Sequence, residues 1–193
     1  MDKLKTSPAV LLQKVEVQSI EMVCLKRVFD KLSNMTQKSE KEGKGKIGPV
    51  DLMKMLTELG MKLLKSEVAL YIWEVDDDLD GFVSWDEYIK MYKRSISDVT
   101  GLEPRRLFNL VQFLMYDETF EGCVTVEETL QIMYVRHGRD KLDDEITEIF
   151  GQDETNADGS EKVITFGEYI DKVNQRSLRE YKESLKGYVF TPE

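Results

Sequence analysis

The sequence predicts an all-α protein made of two lobes, each containing two helix–loop–helix units. Apolar residues recur at helical spacing on both sides of loops that carry acidic residues or glycine, and this arrangement is found four times along the chain. With 193 residues, of which 41% are hydrophobic and 33% charged, the chain can bury a core and does not have the composition of a disordered protein. We expect lobes at residues 17–94 and 105–176, joined by a linker at 95–104 and followed by a tail at 177–193.

The most informative stretch is the loop at residues 76–87. Read as positions 1 to 12, it has carboxylates at positions 1, 3, 5 and 12, a glycine at position 6 and an aliphatic residue at position 8. Calcium takes about six to eight oxygen ligands at about 2.3–2.6 Å, and this spacing supplies them. The predicted ligands are Asp76, Asp78, Asp80, the Phe82 backbone carbonyl and a bidentate Glu87, with Ser84 acting through a water. Gly81 permits the sharp turn round the ion. The alternative is an acidic, solvated loop that holds no ion.

The first helix–loop–helix unit has the later positions of the same loop pattern (the far half) but not the earlier ones (the near half). Gly45, Ile47 and Asp51 have the spacing of positions 6, 8 and 12, yet about ten additional residues separate Asp30 from Ile47. The insertion is rich in lysine and serine, so we expect a structural half-site that holds no calcium. Paired loops of this type meet through a short antiparallel contact at position 8, which predicts that Ile47 pairs with Val83.

Helix boundaries in this half of the chain follow from capping residues. Pro49 suits the first position of a helix, Gly60 suits a helix end, and Ser66 can cap the next helix. The predicted apolar helix faces include Leu25, Val28, Phe29, Leu32, Val68, Tyr71, Ile72, Val75, Tyr88 and Tyr92. Gly101 and Pro104 oppose a continuous helix through the linker, which predicts an elbow or a flexible link.

A second loop of the same pattern is at residues 117–128. Positions 1, 6, 8 and 12 match, but the threonine at position 3 carries no charge and the glutamate at position 5 is long for its place. Calcium affinity follows the number of charged ligands and the rigidity of the site, so we expect a weaker site. The predicted ligands are Asp117, Thr119, Glu121, the Cys123 backbone carbonyl and Glu128. The Cys123 thiol is left near the rim, where an incidental thiol and a redox role are both open.

The fourth unit keeps only the far half of the pattern. It has an aliphatic residue at position 8 and Glu168 at position 12, but its near half is too long. Asp153 and Asp158 could still help to surround an ion in a distorted loop. We expect Ile164 to pair with Val124 in the second lobe. The tail is predicted to form an extra helix that packs on its own lobe or, alternatively, fills the groove of that lobe until calcium or a partner displaces it.

Charge excludes one class of function and favours another. The net charge of −10 argues against nucleic-acid binding, and no basic aromatic motif contradicts this. Residues 1–62 carry 12 Lys and Arg against 8 Asp and Glu, whereas the remainder carries 15 against 29. An acidic body with a basic first segment suits a protein that binds cations and basic partner helices.

No signal peptide, N-myristoyl anchor or membrane span is expected. An apolar segment does not follow the first residues, Asp2 stands where myristoylation requires glycine, and no apolar run approaches about 18 residues. The two cysteines cannot make a disulfide framework. These features predict an intracellular, cytoplasmic protein.

Four helix–loop–helix units at this spacing make residues 17–176 resemble the calmodulin and centrin branch of the EF-hand superfamily. The resemblance implies two lobes of four helices each, calcium in the 76–87 and 117–128 loops, and a target-protein helix bound in an apolar groove. The two stretched loops, the broken linker and the extra ends depart from calmodulin. More weakly, the layout resembles small axonemal EF-hand proteins such as calaxin and the light subunit of the outer-arm docking complex, which implies a cytoskeletal or ciliary location.

Two functions of different class are consistent with these features. The first is a regulator in which one or two Ca²⁺ ions, with Mg²⁺ as a candidate occupant at rest, open a helix pair and expose a groove for an amphipathic or basic partner helix. The alternative is a constitutive, light-chain-like subunit of a cytoskeletal or axonemal assembly, in which calcium mainly stabilises the fold. An enzyme is not expected, because the chain has no nucleophile-and-base motif, no phosphate-binding glycine loop and a single histidine.

Overall fold

The computed structural model describes residues 17–36, 43–152, 155–156 and 159–186, which form eight helices and one small sheet. The helices are α1 Ser19–Ser33, α2 Pro49–Glu58, α3 Lys65–Trp73, α4 Trp85–Ser97, α5 Arg106–Tyr116, α6 Val126–His137, α7 Arg139–Phe150 and α8 Phe166–Lys186. The strands are β1 Cys123–Thr125 and β2 Val163–Thr165, which pair antiparallel. The mostly helical fold is confirmed. Across the described ranges, no helix combines the length and the apolar composition that a bilayer span requires.

The chain divides into two compact units, Met1–Met115 and Tyr116–Glu193. The predicted second lobe begins at residue 105 and therefore includes all of α5. In the structure, the division falls in the last turn of α5, so that most of this helix belongs with the first unit.

Helix α5 packs against α4 near its start and against α1 near its end. Near its start, the Phe108 ring centroid lies 5.7 Å from that of Tyr92 in α4. Near its end, the Arg27 guanidinium of α1 donates to the carbonyl oxygens of Leu114 at 2.9 Å and Met115 at 3.1 Å. A cation at the last carbonyl groups of a helix is favoured by the helix dipole. These contacts explain why α5 up to Met115 is part of the first unit.

The predicted linker is an elbow organised by Asp98. The Asp98 carboxylate accepts hydrogen bonds from the backbone N–H groups of Thr100 at 2.8 Å, Gly101 at 3.0 Å and Glu103 at 3.1 Å, and from the Arg105 guanidinium at 3.2 Å. Burial favours the protonated form of this carboxyl, but the hydrogen bonds outweigh burial and hold the pKa of Asp98 well below its usual range. The linker therefore has a hydrogen-bond network of its own.

An aromatic cluster joins α1 to α4 in the core of the first unit. The buried face of α1 contains Leu25, Val28, Phe29 and Leu32, as predicted. The Phe29 ring meets Trp85 and Tyr88 edge-on, with centroid separations of 5.1 and 5.2 Å. The fully buried Tyr88 donates its hydroxyl to the Leu25 carbonyl at 3.2 Å, which satisfies its polar end.

The predicted helix ends are correct for α2 and wrong for α3. Helix α2 begins at Pro49, and Gly60 follows its end with φ +79°. Helix α3 begins at Lys65, so Ser66 lies inside the first turn and does not cap it. Instead, the carboxylate of Glu67, in the first turn of the helix, accepts the N–H of the N-cap residue Leu64 at 2.6 Å.

The second unit is built around the β1–β2 ladder. Val124 pairs with Ile164 in the observed register, and both side chains are buried, which confirms the predicted contact. Helices α6 and α8 follow directly from β1 and β2. The near half of the fourth loop is described only in part, and Asp153 and Asp158 lie outside the described residues.

The tail is not a separate helix where it is described. Helix α8 runs without interruption from Phe166 to Lys186 and so includes the first ten residues of the predicted tail. Arg176 in this helix donates to Glu145 of α7 at 2.7 and 3.1 Å, which holds α8 against its own unit. Residues 187–193, and with them the end of the proposed groove-filling segment, lie outside the described residues.

Candidate metal centre

Three aspartates of the 76–87 loop converge at one point. One carboxylate oxygen from each of Asp76, Asp78 and Asp80 lies within 4.8 Å of the others, and this is the one such acidic group among the described residues. Asp76 is half-buried, whereas Asp78 and Asp80 are exposed. These are the residues predicted at positions 1, 3 and 5.

The loop backbone wraps round the Asp76 carboxylate. The Asp80 N–H donates to one of its oxygens at 3.1 Å and the Gly81 N–H to the other at 2.8 Å. The turn places Leu79 at φ +59° and Gly81 at φ +82°, a left-handed conformation that glycine adopts at low cost. Asp78 also accepts the Asp80 N–H at 3.1 Å. The carboxylates are therefore held in place by the backbone that follows them.

Glu87 joins the end of the loop to its beginning. One carboxylate oxygen accepts the Asp77 N–H at 2.9 Å, and the other accepts the Ser84 N–H at 2.8 Å and the Ser84 hydroxyl at 2.6 Å. Burial favours the neutral form, but these hydrogen bonds outweigh it and hold the pKa of Glu87 below its ordinary value. Glu87 is thus a carboxylate that lies across the loop, as a bidentate ligand requires. Ser84 contacts this carboxylate directly, and its predicted role through a water stays a prediction.

The segment at residues 43–48 packs against the centre of the loop. Ile47 and Val83 exchange backbone hydrogen bonds of 2.9 and 2.8 Å, which confirms the predicted pairing. A Cβ atom on Gly43, which has φ +77°, would lie 2.5 Å from the Phe82 ring, so only glycine allows this approach. The Phe82 ring therefore holds the loop against the 43–48 segment, while its backbone carbonyl remains a predicted ligand.

Lys46 also belongs to this site, although the sequence did not predict it. Its ammonium group hydrogen-bonds with Asp80 and lies 4.0 Å from Asp78. The hydrogen bond raises the pKa of Lys46 and lowers that of Asp80. A lysine immediately before the pairing residue Ile47 was the available signal. The carboxylate oxygens of the three converging aspartates are the kind of ligand that a hard ion such as calcium prefers. The Lys46 ammonium group therefore already places a positive charge against these ligands.

The 117–128 loop has the same backbone turn but a different arrangement of side chains. Asp117 is fully buried and accepts the Glu121 and Gly122 N–H groups at 2.9 and 2.8 Å. Burial raises the pKa of Asp117 despite these hydrogen bonds. Thr119 is exposed, and Cys123 lies in β1, where burial raises the pKa of its half-buried thiol. Among the described residues, the acidic side chains of this loop do not converge as those of the 76–87 loop do.

The other position-12 residues act as helix caps. Asp51 accepts the Gly48 N–H at 2.7 Å, Glu128 accepts the Thr125 N–H at 2.8 Å, and Glu168 accepts the Thr165 N–H at 2.8 Å. In each case the acceptor is three residues after the donor, the geometry of a capping box. Glu87 makes the same contact with Ser84 but also reaches Asp77, which identifies it as the glutamate that spans its loop.

Comparisons with known proteins agree with this geometry. The EF-hand domain pair family matches residues 37–93, which include the 43–48 segment and the 76–87 loop. The probable calcium-binding protein CML27 of Arabidopsis thaliana is 27% identical over 80% of this chain and 79% of the relative. The probable calcium-binding protein CML17 of Oryza sativa subsp. japonica is 26% identical over 74% and 87%. Residues 37–93 thus match an EF-hand domain pair, and the chain is similar to calmodulin-like calcium-binding proteins. Calcium-binding protein LPS1-beta of Lytechinus pictus is a further relative, 25% identical over 73% of the chain and 54% of the relative.

Proposed function

We propose that this EF-hand protein binds calcium in the 76–87 loop and regulates a partner protein in response. The observation that supports the proposal most directly is the convergence of three aspartates in a loop that Glu87 already spans. The ion would be held by Asp76, Asp78, Asp80, the Phe82 carbonyl and both oxygens of Glu87, with Ser84 acting through a water. Carboxylate and carbonyl oxygens in this number match the coordination of Ca²⁺, and Mg²⁺ is a candidate occupant at rest.

The position of Glu87 connects the ion to a helix. Glu87 lies in the first turn of α4, and its oxygens accept hydrogen bonds from Asp77 and Ser84. An ion that takes both oxygens competes with those donors, so the start of α4 must move relative to the loop. Helix α4 carries the buried Tyr88 and Met91, and its movement would open an apolar surface of the first unit.

The partner we propose is an amphipathic or basic helix of another protein. Residues 63–193 carry 29 acidic against 15 basic side chains, which favours a positively charged partner. Methionines such as Met55 and Met91 are buried in the first unit and would line an opened groove, where their flexible side chains adapt to varied targets.

A second, weaker calcium site in the 117–128 loop is part of the proposal. Its ligands would be Asp117, Thr119, Glu121, the Cys123 carbonyl and Glu128. The shared backbone turn supports it, and the smaller number of converging carboxylates supports a lower affinity. The loops of the first and fourth helix–loop–helix units keep only the far half of the pattern and are not expected to bind an ion. The proposal therefore has four EF-hands and one or two ions.

The alternative of a constitutive subunit in a cytoskeletal or axonemal assembly has no specific observation in its favour. The relatives are described in terms of calcium binding, and their names give no structural or cytoskeletal role. We therefore place the function in calcium-dependent protein binding, with a cytoplasmic location as part of the same proposal.

Calcium titration of the full chain by isothermal calorimetry, with hydrophobic-dye fluorescence measured in parallel, tests the proposal. A tighter site in the range of about 10⁻⁷–10⁻⁵ M, with a weaker second site and a rise in dye fluorescence, is the expected result. Binding without a dye response would show a closed hand and contradict the regulatory role. The absence of any calcium heat would contradict the site itself.

A further inference from the structure

Lys46 lies in the 43–48 segment, which belongs to the helix–loop–helix unit that is predicted to hold no calcium. Its side chain reaches the 76–87 loop of the next helix–loop–helix unit. Its ammonium group hydrogen-bonds with Asp80 and lies 4.0 Å from Asp78, two of the converging aspartates. The side chain is 31% exposed, against 37% for Asp80, so the pair is partly screened from solvent. Lys46 therefore neutralises charge at the place where the proposed ion binds.

The backbone fixes the position from which Lys46 reaches the loop. Its N–H donates to the Gly43 carbonyl at 3.0 Å, and the next residue, Ile47, makes the two-way hydrogen bond with Val83. The packing of Gly43 against Phe82 holds the same turn. These contacts place the Lys46 side chain beside Asp80.

We propose that Lys46 sets the calcium affinity of the 76–87 loop by competing with the ion for Asp78 and Asp80. The inference rests on the proposed calcium binding and adds a role for the first hand, which supplies a competing cation in place of a second ion. Without calcium, the ammonium relieves the repulsion among the clustered carboxylates. When calcium enters, both aspartates must turn to the ion, and the ammonium must leave a position where it is repelled.

The expected size of the effect follows from the charges. A unit charge and a doubly charged ion about 6 Å apart repel each other in water strongly enough to change a Kd by roughly tenfold, before salt screening reduces the effect. Lys46 therefore raises the calcium concentration at which the loop fills. Its influence should weaken as ionic strength rises.

Lys90 provides a matched control within the same loop. Its ammonium pairs with Asp77, which occupies position 2 and is not a predicted ligand. Lys90 is 52% exposed and belongs to α4. Removing it deletes the same charge close to the loop without releasing a ligand carboxylate.

The test is calcium calorimetry on the full chain with Lys46→Gln, Lys46→Arg and Lys90→Gln, at low and high KCl. We expect Lys46→Gln to tighten the Kd roughly three- to tenfold at low salt and less at high salt. Lys46→Arg and Lys90→Gln should stay within about twofold of the wild type. The calcium-induced rise in melting temperature should also be larger for Lys46→Gln, because the ion-free loop loses its counter-charge.

The outcomes separate this inference from the proposed function. If the wild type binds calcium and Lys46→Gln leaves the Kd unchanged, or Lys90→Gln tightens it equally, the competition is overturned and calcium binding stands. If neither the wild type nor Lys46→Gln binds calcium, the proposed function fails and the inference fails with it. Binding that appears only in Lys46→Gln would support the competition in its strongest form.

Discussion

The 76–87 and 117–128 loops follow the same backbone path but arrange their acidic side chains differently. Leu79 and Phe120, at position 4 of each loop, have left-handed conformations with φ of 59° and 60°. In both loops the first aspartate accepts the N–H groups of positions 5 and 6. Over the described residues, however, only the 76–87 loop brings three acidic side chains together. The turn thus forms whether or not a full set of ligands is present.

The closing glutamates show why the two loops differ. Glu87 is buried and links Ser84 to Asp77, across the full width of its loop. Glu128 is exposed, and one of its oxygens accepts both the N–H and the hydroxyl of Thr125. A glutamate that already spans the loop has less far to move to bind an ion with two oxygens than one that only caps its own helix. A glutamate that caps its own helix must first reorient, and this lowers the affinity.

The largest expected effect on this comparison comes from Glu87→Gln. Losing a charged oxygen from the bidentate ligand should weaken calcium binding at the 76–87 loop by about 2–3 kcal/mol, roughly a hundredfold in Kd. Glu128→Gln is the matched control in the other loop and should leave the tighter calorimetric site unchanged. Equal losses in the two variants would show that the tighter site is not in the 76–87 loop.

Gly43→Ala should break the packing that holds the 76–87 loop against the 43–48 segment. The new Cβ would lie 2.5 Å from the Phe82 ring, in addition to the cost of φ +77°, so we expect a loss of about 2–3 kcal/mol in unfolding free energy. Gly45 has the same φ of +77° and nothing within 4 Å of an added Cβ, so Gly45→Ala should cost only about 1 kcal/mol.

Urea unfolding followed by tryptophan fluorescence can measure this difference. The two tryptophans, Trp73 and Trp85, both belong to the first unit and therefore report on it alone. If the two alanine variants lose equal stability, the Phe82 contact contributes nothing and the backbone conformation accounts for the whole cost.

The features that the sequence predicted correctly depend on short spacing along the chain. The converging aspartates follow from a twelve-residue pattern, and the pairing of Ile47 with Val83 and of Val124 with Ile164 follows from position 8 of each loop. Such local patterns fix local geometry. The helical faces were predictable for the same reason, because burial repeats every three or four residues.

The features that the sequence did not reveal depend on contacts between distant or irregular segments. Lys46 meets Asp80 only because the Ile47–Val83 contact docks one hand on the other. The donors to Asp98 lie in an irregular turn with no periodic signal. Helix α8 continues past Ser177 because no glycine or proline interrupts it, although the tail was expected to form an extra helix of its own. Sequence motifs predict neither contacts between distant segments nor how far a helix continues when no helix-breaking residue ends it.

Thr119→Asp should bring the 117–128 loop closer to the 76–87 loop. It places a carboxylate at position 3, where the stronger loop has Asp78, so calcium binding at the weaker site should tighten by about 1.4 kcal/mol, roughly tenfold. Thr119→Asn replaces the hydroxyl with an uncharged amide oxygen that reaches further, and it is the control. Calorimetry should show the gain in the weaker site only. If both variants tighten equally, side-chain reach rather than charge limits this loop.

The smallest expected effect tests another explanation for a weak 117–128 loop, namely that its unit is poorly held together. Glu145 of α7 accepts hydrogen bonds from Arg176 of α8. Burial favours the neutral form of Glu145, but the Arg176 hydrogen bonds and the nearby positive charges outweigh it and lower its pKa. The pair therefore stabilises the unit at pH values above the ordinary glutamate pKa of about 4.3, and this stability is lost as pH falls through the lowered pKa.

Glu145→Gln should accordingly lower the stability of the second unit by about 1 kcal/mol at pH 7 and by much less at a pH below the lowered pKa of Glu145, where the wild-type carboxyl is protonated as well. Thermal melting in a calcium chelator, followed by circular dichroism at both pH values, measures the difference. Glu180, which pairs with the same Arg176 at 2.9 Å but is 61% exposed, provides the control, and Glu180→Gln should change stability by less than about 0.5 kcal/mol. A loss in Glu145→Gln that does not change with pH would mean that packing, not the ion pair, joins α7 to α8. If the loss vanishes at low pH and calcium binding at the 117–128 loop is unaffected at pH 7, the weakness of that loop lies in its ligands, as its exposed Glu128 and uncharged Thr119 indicate.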